Sequence, residues 1–360
     1  MKAIVIDHFV ESYKEIRVSE IPIPEPRDDE ILIQVKAAGV NFVDTLYARG
    51  KHQNNRRHIK PPFTLGLEFS GTVLSSPQNS PFPPGSHVFG SHSGCYAEYI
   101  LIPSPSPTSP SPSSPSSPSS SLHHIPKGWT FASAASIAAT LPVSHGALLG
   151  TGNLRSGETV LIHAAAGGLG LAAVQVAKAT GCKVIGTAGT DEKCNIAMRY
   201  GADACINYRT ETAWWERVLE MTNDKGVDIV FDTVGLVNLS LKCLSHRGRI
   251  LVVGFAGREG GRDMEDVKMN RVLLKQAQIL GYRYGETSRR YPEETKQIWR
   301  GVYQMIEGGA FKPTLFGKAY AGLESVPEAL NDVASRKVWG KAVIQVDTSL
   351  GDEPPVRGRL

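Results

Sequence analysis

The stretch Thr159 to Gly170, TVLIHAAAGGLG, constrains this chain more than any other, because an apolar run empties into a glycine cluster and then into a helical pattern. Val160, Leu161 and Ile162 have the character of a strand buried on both faces, and Leu171, Val174, Val176 and Ala177 continue at helical spacing. The turn between them, Ala165-Ala166-Gly167-Gly168-Leu169-Gly170, is a dinucleotide-binding fingerprint whose first glycine is replaced by Ala165. Gly167 lets backbone approach a pyrophosphate, and Gly170 lets the helix pack close against the strand. The helix N-terminus then offers free N–H groups and a positive dipole end to phosphates. An ordinary glycine-rich turn would also read this way, but a second strand, Lys183 to Gly189, follows at the right distance to complete a βαβ crossover.

From Ile125 onward helices and strands alternate. Helices are expected at Asp191–Tyr200, Trp214–Met221, Leu236–Leu244 and Pro292–Glu307, and strands at Ala204–Ile206, Val227–Phe231, Arg249–Val253 and Ile279–Tyr282. Such repeats build a doubly wound parallel sheet with helices on both faces. The first hundred residues follow a different pattern. Short strands at Lys2–Ile6, Ile16–Ile21, Ile31–Ala37, Glu68–Leu74, Ser86–Phe89 and Tyr96–Leu101, separated by Pro, Gly, Asp and Ser clusters, indicate a curled, largely antiparallel β domain. Leu315–Ala319 and Ala342–Val346, strands around a helix at Val326–Ala334, read as a return to that domain. The expected organisation is a β domain over 1–125 and 310–346, a parallel-sheet domain over 126–309 and a loose tail over 347–360.

Within the β domain, Asn41 precedes a helix at Phe42–Arg49 and suits either an N-cap or a cleft-lining role. The segment 104–121, rich in Ser-Pro pairs, has nothing to bury and is expected to be a disordered insertion on which no chemistry depends. The formal net charge of +4 is spread without long basic blocks, so charge favours neither nucleic acid nor membrane partners. The five cysteines form no CxxC pair and none has histidines at metal spacing, which points to free thiols in a reducing compartment. With no leader-like start and no long apolar run, a cytoplasmic protein is expected.

Several motifs together carry a resemblance. Gly39-Val40-Asn41-Phe42-Val43-Asp44, Leu65-Gly66-Leu67-Glu68-Phe69-Ser70-Gly71, Cys95-Tyr96-Ala97-Glu98-Tyr99, His163–Gly170 and Ile206-Asn207-Tyr208-Arg209 are similar to those of the zinc-independent quinone oxidoreductases of the medium-chain dehydrogenase/reductase superfamily. The resemblance runs from Met1 to about Val346 and implies an α/β protein with a GroES-like β domain, a Rossmann domain, a cofactor cleft between them and a homodimer or homotetramer. The position resembling the zinc-ligand histidine of metal-dependent relatives is Leu67, and the ligand-cysteine corner carries Asn41, so no metal is expected.

For the cofactor, the second Rossmann strand ends at Gly186-Thr187-Ala188-Gly189 with no carboxylate to bond a ribose hydroxyl. Similar reductases place a lysine, a tyrosine and a C-terminal arginine around the 2′-phosphate, which match Lys193, Tyr208 and Arg336 here. NADPH is therefore expected over NADH, against the nearby acids Asp191 and Glu192. The expected cofactor-binding set is Ala165, Ala166, Gly167, Gly168, Leu169, Gly170, Thr187, Lys193, Tyr208, Gly254, Phe255 and Arg336. The expected catalytic set is Asn41, Asp44 and Tyr47. Tyr47 stands one residue after Leu46, the position of a tyrosine in many similar reductases, and so points about 100° away on a helix. His145 suits a proton donor or a structural residue, and Gly146 stands where relatives carry a threonine.

Without a metal or flavin motif, the implied reaction is hydride transfer to an acceptor whose oxyanion is held by hydrogen bonds, either a quinone or an α,β-unsaturated carbonyl. The expected partner is such a small molecule. Alternatives are an enone, alkenal or enoyl-thioester reductase, for which the Lys51–Lys60 stretch is the one basic cluster that could hold a phosphopantetheine arm, and a non-catalytic NADPH-binding, crystallin-like or RNA-binding role. The basic cluster lacks a stacking aromatic, which ranks RNA last.

Overall fold

The computed structural model describes residues 1–52, 55, 59–104, 121–258 and 265–347. The expectations for most of the Ser/Pro insertion, for the tail beyond 347 and for much of Lys51–Lys60 lie outside these residues. The chain divides into two compact units, 1–139 with 315–360, and 140–314. The sequence pattern alone places these divisions at 125/126 and 309/310.

The first unit begins with β1 (Lys2–Ile6), β2 (Val18–Glu20), β3 (Glu30–Val40), β4 (Phe63–Thr64), β5 (Glu68–Ser75), β6 (His87–Ser91), β7 (Tyr99–Pro103) and β8 (Ser121–His124). β1 sits between β2 and β4 in a small antiparallel sheet. β3 is the long central strand: Ile31, Ile33, Val35 and Ala37 alternate inward, as a half-buried strand requires, and Ala38 to Val40 are buried on both faces. It pairs with β5 along one edge and with β7 at the start of the other. Ser121, expected in the insertion, opens β8 instead, paired with Ser91 of β6 through hydroxyls 3.0 Å apart.

The second unit carries β9 (Thr159–Ile162), β10 (Lys183–Ala188), β11 (Ala204–Asn207), β12 (Val227–Asp232), β13 (Leu244–Val252) and β14 (Gln278–Gly281). All are parallel, in the order β11-β10-β9-β12-β13-β14. This is the Rossmann order, whose reversal point lies at the carboxyl ends of β9 and β12. The helix after β9 is Gly168–Ala179, and its face from Gly170 to Ala177 is buried. The expected helix at Leu236–Leu244 shrinks to Val237–Ser240, because Leu244 already pairs with Val227 and begins β13, with a bulge before Arg249. Helices at Met269–Lys275 and Tyr284–Arg290, not foreseen from sequence, bury no residue.

The chain returns to the first unit. The strand expected at Leu315–Ala319 is reduced to a single bridge from Leu315 to Lys341, and β15 (Tyr320–Ala321) follows. The helix Val326–Ala334 precedes β16 (Ala342–Gln345), which pairs with the second half of β3 and completes a seven-stranded sheet. Through this pairing Lys341, at the entrance to β16, lies beside the β3–helix corner near Asn41.

Candidate active site and dinucleotide site

In the second unit, parallel strands bring the βα turns to one edge of the sheet. After β9, Ala164 takes a positive φ of 50° and Gly167 caps the helix in extended conformation. A Cβ on Gly170 would lie 2.2 Å from the Ala164 carbonyl oxygen and 2.8 Å from the Ala165 Cα, so only glycine allows the helix to start this close to the turn. Ala165, which replaces the first glycine, is buried, and its methyl fills space left by Gly186 of β10, where a Cβ would come within 2.7 Å of it. The first backbone bond into the helix runs from Leu171 N–H to Gly167 O, at 2.8 Å. The Gly168, Leu169 and Gly170 N–H groups therefore point out of its N-terminal end, as a pyrophosphate requires.

After β12, the buried Asp232 carboxylate accepts from the N–H groups of Val234, Gly235 and Leu236, at 2.8, 2.9 and 2.6 Å. This fixes the loop beside the fingerprint turn. Gly254 and Phe255 follow β13 at the same edge, held by Gly254 N–H to Asp232 O at 3.3 Å, and the Phe255 ring is 46% exposed. After β10, Gly189 lies against the Tyr208 ring from the end of β11. Thr190 caps the helix Asp191–Arg199 through Lys193 N–H, at 3.2 Å. Ala165 to Gly170, Gly189, Lys193, Tyr208, Gly254 and Phe255 thus gather at one sheet edge, and they fit a dinucleotide: a glycine-tight turn, outward N–H groups and no carboxylate at the end of β10.

Thr187 stands apart from this set. Its side chain is buried and meets His163 Nδ1 at 3.0 Å, while His163 Nε2 meets the Ser240 hydroxyl at 2.9 Å. Only the Thr187 carbonyl takes part in the turn, accepting from Ala165 N–H at 2.9 Å. Burial pushes the His163 pKa down, and its edge-on contact with Trp214 completes a neutral cross-brace under the turn. Arg336 belongs to the first unit, in the turn after the helix Val326–Ala334, with a positive φ of 60°.

The first unit holds a compact polar cluster. Lys341 Nζ is 2.6 Å from Glu68 Oε2, and both side chains are buried, 3% and 0% exposed. Lys341 Nζ also donates to Asn41 Oδ1 at 2.5 Å, and Asn41 Nδ2 donates to Glu68 Oε2 at 3.3 Å. The other Glu68 oxygen accepts from Ala139 N–H at 2.9 Å. Asp44, wholly buried, accepts from Asn41 N–H and from the Tyr96 hydroxyl, both at 2.8 Å, while its Oδ1 has no partner. Burial raises its pKa to about 6, against the opposing pull of those two bonds and of Lys341. Asn41 and Asp44 are therefore brought together, and the Asn41 amide is oriented by an ion pair. Tyr47 is not part of this group: it is buried in the apolar core of the unit, its ring 4.3 Å from that of His52. Leu67 packs against the same core, and no group of three His, Cys, Asp or Glu side chains suited to a metal occurs among the described residues.

Lys341 and Glu68 were not assigned roles from sequence. Lys341 is 300 residues from Asn41, with no local pattern to announce the contact.

Family models match in the same arrangement: the alcohol dehydrogenase GroES-like domain over residues 27–111 and the zinc-binding dehydrogenase domain over 168–300. A curated quinone oxidoreductase from Sus scrofa is 33% identical over 334 residues, covering 91% of this chain and 92% of its own. The chain belongs to the zinc-independent quinone oxidoreductases of the medium-chain dehydrogenase/reductase superfamily. It is accordingly an oxidoreductase. Among solved structures, a mycobacterial protein complexed with NADPH is 28% identical, with a TM-score of 0.80 over 96% of this chain and 99% of that one. An Escherichia coli quinone oxidoreductase complexed with NADPH is 25% identical, with a TM-score of 0.78 over 96% and 100%.

Proposed function

We propose that this oxidoreductase transfers a hydride from NADPH to a quinone without a metal. The observation that carries the donor half is the end of β10: Gly189 where a carboxylate would select NADH, with the Tyr208 hydroxyl laid over it and Lys193 in the next helical turn. The NADPH complexes of two relatives that share the fold support the same reading. The acceptor half rests on similarity to curated quinone oxidoreductases.

When bound, the nicotinamide supplies the hydride. The protein's part is positional. The Gly168, Leu169 and Gly170 N–H groups would hold the pyrophosphate, while Lys193 and Tyr208 would hold the 2′-phosphate. In the first unit, the Lys341–Glu68 pair fixes the Asn41 amide as an orienting group, and Asp44 braces the corner below it. Quinones are electrophilic enough for positioning to supply much of the rate.

A homo-oligomer is part of the proposal. β14 is an outer strand of its sheet with Ile279 exposed, and the neighbouring helix turns Met269, Leu273 and Leu274 outward at 66%, 77% and 75% exposure. A second copy would cover that apolar face, and sedimentation at a monomer mass would refute it. A cytoplasmic location is also part of the proposal; no helix among the described residues is long and apolar enough to cross a membrane.

The deciding experiment is NADPH oxidation by chelator-treated protein against 1,2- and 1,4-quinones, alkenals, enones and an enoyl thioester. Preferred turnover of quinones, unchanged by the chelator, is the expected result. Preferred turnover of enones or the thioester would replace the acceptor assignment, and cofactor binding with no turnover would sink the catalytic reading.

A further inference from the structure

The geometry points to Arg209 as a further phosphate-binding residue that selects the cofactor, held beside Tyr208 over Gly189 by the side chain of Asn207. This rests on the reading that the second unit binds NADPH, and adds to it a residue and the device that aims it.

A Cβ placed on Gly189 would lie 2.7 Å from the Tyr208 hydroxyl and 3.4 Å from Arg209 Nε. A phenol and a guanidinium thus converge on one glycine, where the second strand ends and a ribose-binding carboxylate would otherwise stand. The convergence is built into the backbone. Asn207, which is buried, accepts the Arg209 N–H on its Oδ1 at 3.1 Å, and its carbonyl accepts from Thr210 N–H at 3.2 Å and Glu211 N–H at 2.9 Å. These bonds fold the chain sharply after β11 and turn Arg209 back along the sheet edge.

Asn207 has a second effect, on charge. Its Nδ2 donates to Asp191 Oδ1 at 2.8 Å, so an acid in the first turn of the neighbouring helix has one oxygen engaged by this amide. The same amide therefore ties the Arg209 backbone and the Asp191 carboxylate to one turn.

The charge on Arg209 is not spent elsewhere. Arg217 pairs with Glu211 and Glu220, Arg249 with Glu158, and Arg289 and Arg290 with Glu286. Arg209, exposed, has no acidic partner among the described residues. A guanidinium presents planar N–H donors that match phosphate oxygens in pairs, which a lysine ammonium does not. A 2′-phosphate dianion over Gly189 would meet Arg209 from the β11 turn and Lys193 from the helix start.

The test is calorimetric titration of the full chain with adenosine 2′,5′-bisphosphate and with adenosine 5′-monophosphate, which differs from it only in lacking the 2′-phosphate. Wild type should prefer the bisphosphate. Arg209→Gln should weaken the bisphosphate by about tenfold, the low end for a charge-assisted bond because the site is exposed, and leave adenosine 5′-monophosphate unchanged. Arg209→Lys should recover part of the loss. If Arg209→Gln binds the bisphosphate as wild type does, or weakens both ligands equally, the assignment of Arg209 is overturned while the NADPH reading stands. If wild type itself does not prefer the bisphosphate, both fall.

Discussion

Replacing Lys341 with methionine tests whether the buried ion pair is what holds the Asn41 corner together. Glu68 is fully buried and shares one oxygen between Lys341 and Asn41, the other being taken by Ala139 N–H. Methionine keeps the length and apolar stem of the lysine but leaves a carboxylate in the interior without its counter-charge. Breaking one partner of such a pair costs about 3–5 kcal/mol. In the double variant Lys341→Met with Glu68→Gln, no charge is stranded, and the glutamine carbonyl can still accept from Ala139 N–H. It should regain at least about half of the loss, because removing both charges of a buried pair is often close to neutral. The chain has two compact units, so a single melting curve need not be two-state. Hydrogen exchange in peptides covering β3 and β16 reads the effect where it arises, alongside urea unfolding. A single variant within about 0.5 kcal/mol of wild type, the range of an ordinary surface change, would refute this account of the cluster, as would a double variant no better than the single one.

Two further perturbations address the fingerprint turn and the buried acid. Gly170→Ala should destabilise the second unit by about 1–3 kcal/mol, since its methyl would meet backbone at 2.2 and 2.8 Å, and should weaken NADPH binding in fluorescence titration; unchanged binding and melting would show that the helix start has slack. Asp44 has a folded pKa raised from 3.8 to about 6, so the folded state holds the extra proton between those values. Its contribution is therefore favourable at low pH and lost as pH rises through about 6, by roughly 3 kcal/mol for a shift of about two units. Asp44→Asn should remove that pH dependence from the difference between urea midpoints at pH 5 and pH 8; parallel wild-type and variant profiles would contradict it.

What was legible in the sequence follows from how local the cause was. The strands β9, β10 and β12 announce themselves as apolar runs because both faces of a parallel sheet are covered, and the helices Trp214–Met221, Pro292–Glu307 and Val326–Ala334 fall at their expected bounds because each carries an apolar stripe. Met269–Lys275 and Tyr284–Arg290 are short and have no fully buried residue; the first turns Met269, Leu273 and Leu274 outward and the second is mostly polar. Leu236–Leu244 was read as one helix because apolar spacing does not reveal that Leu244 is claimed by a β ladder to Val227. At the site, Gly170 and Tyr208 were visible as motif members, whereas the roles of Lys341, Glu68 and Asn207 depend on contacts that only the folded chain creates. Thr187 was placed by its position at a strand end, which does not say that the side chain turns inward to His163.

The measurement that bears most directly on the central claim is the ratio of kcat/KM for NADPH and NADH with one saturating quinone acceptor. With no carboxylate at the end of β10, with Tyr208 beside Gly189 and with Lys193 in the first turn of the helix that follows, the account predicts a ratio of about ten or more in favour of NADPH. A ratio of one or below would contradict it.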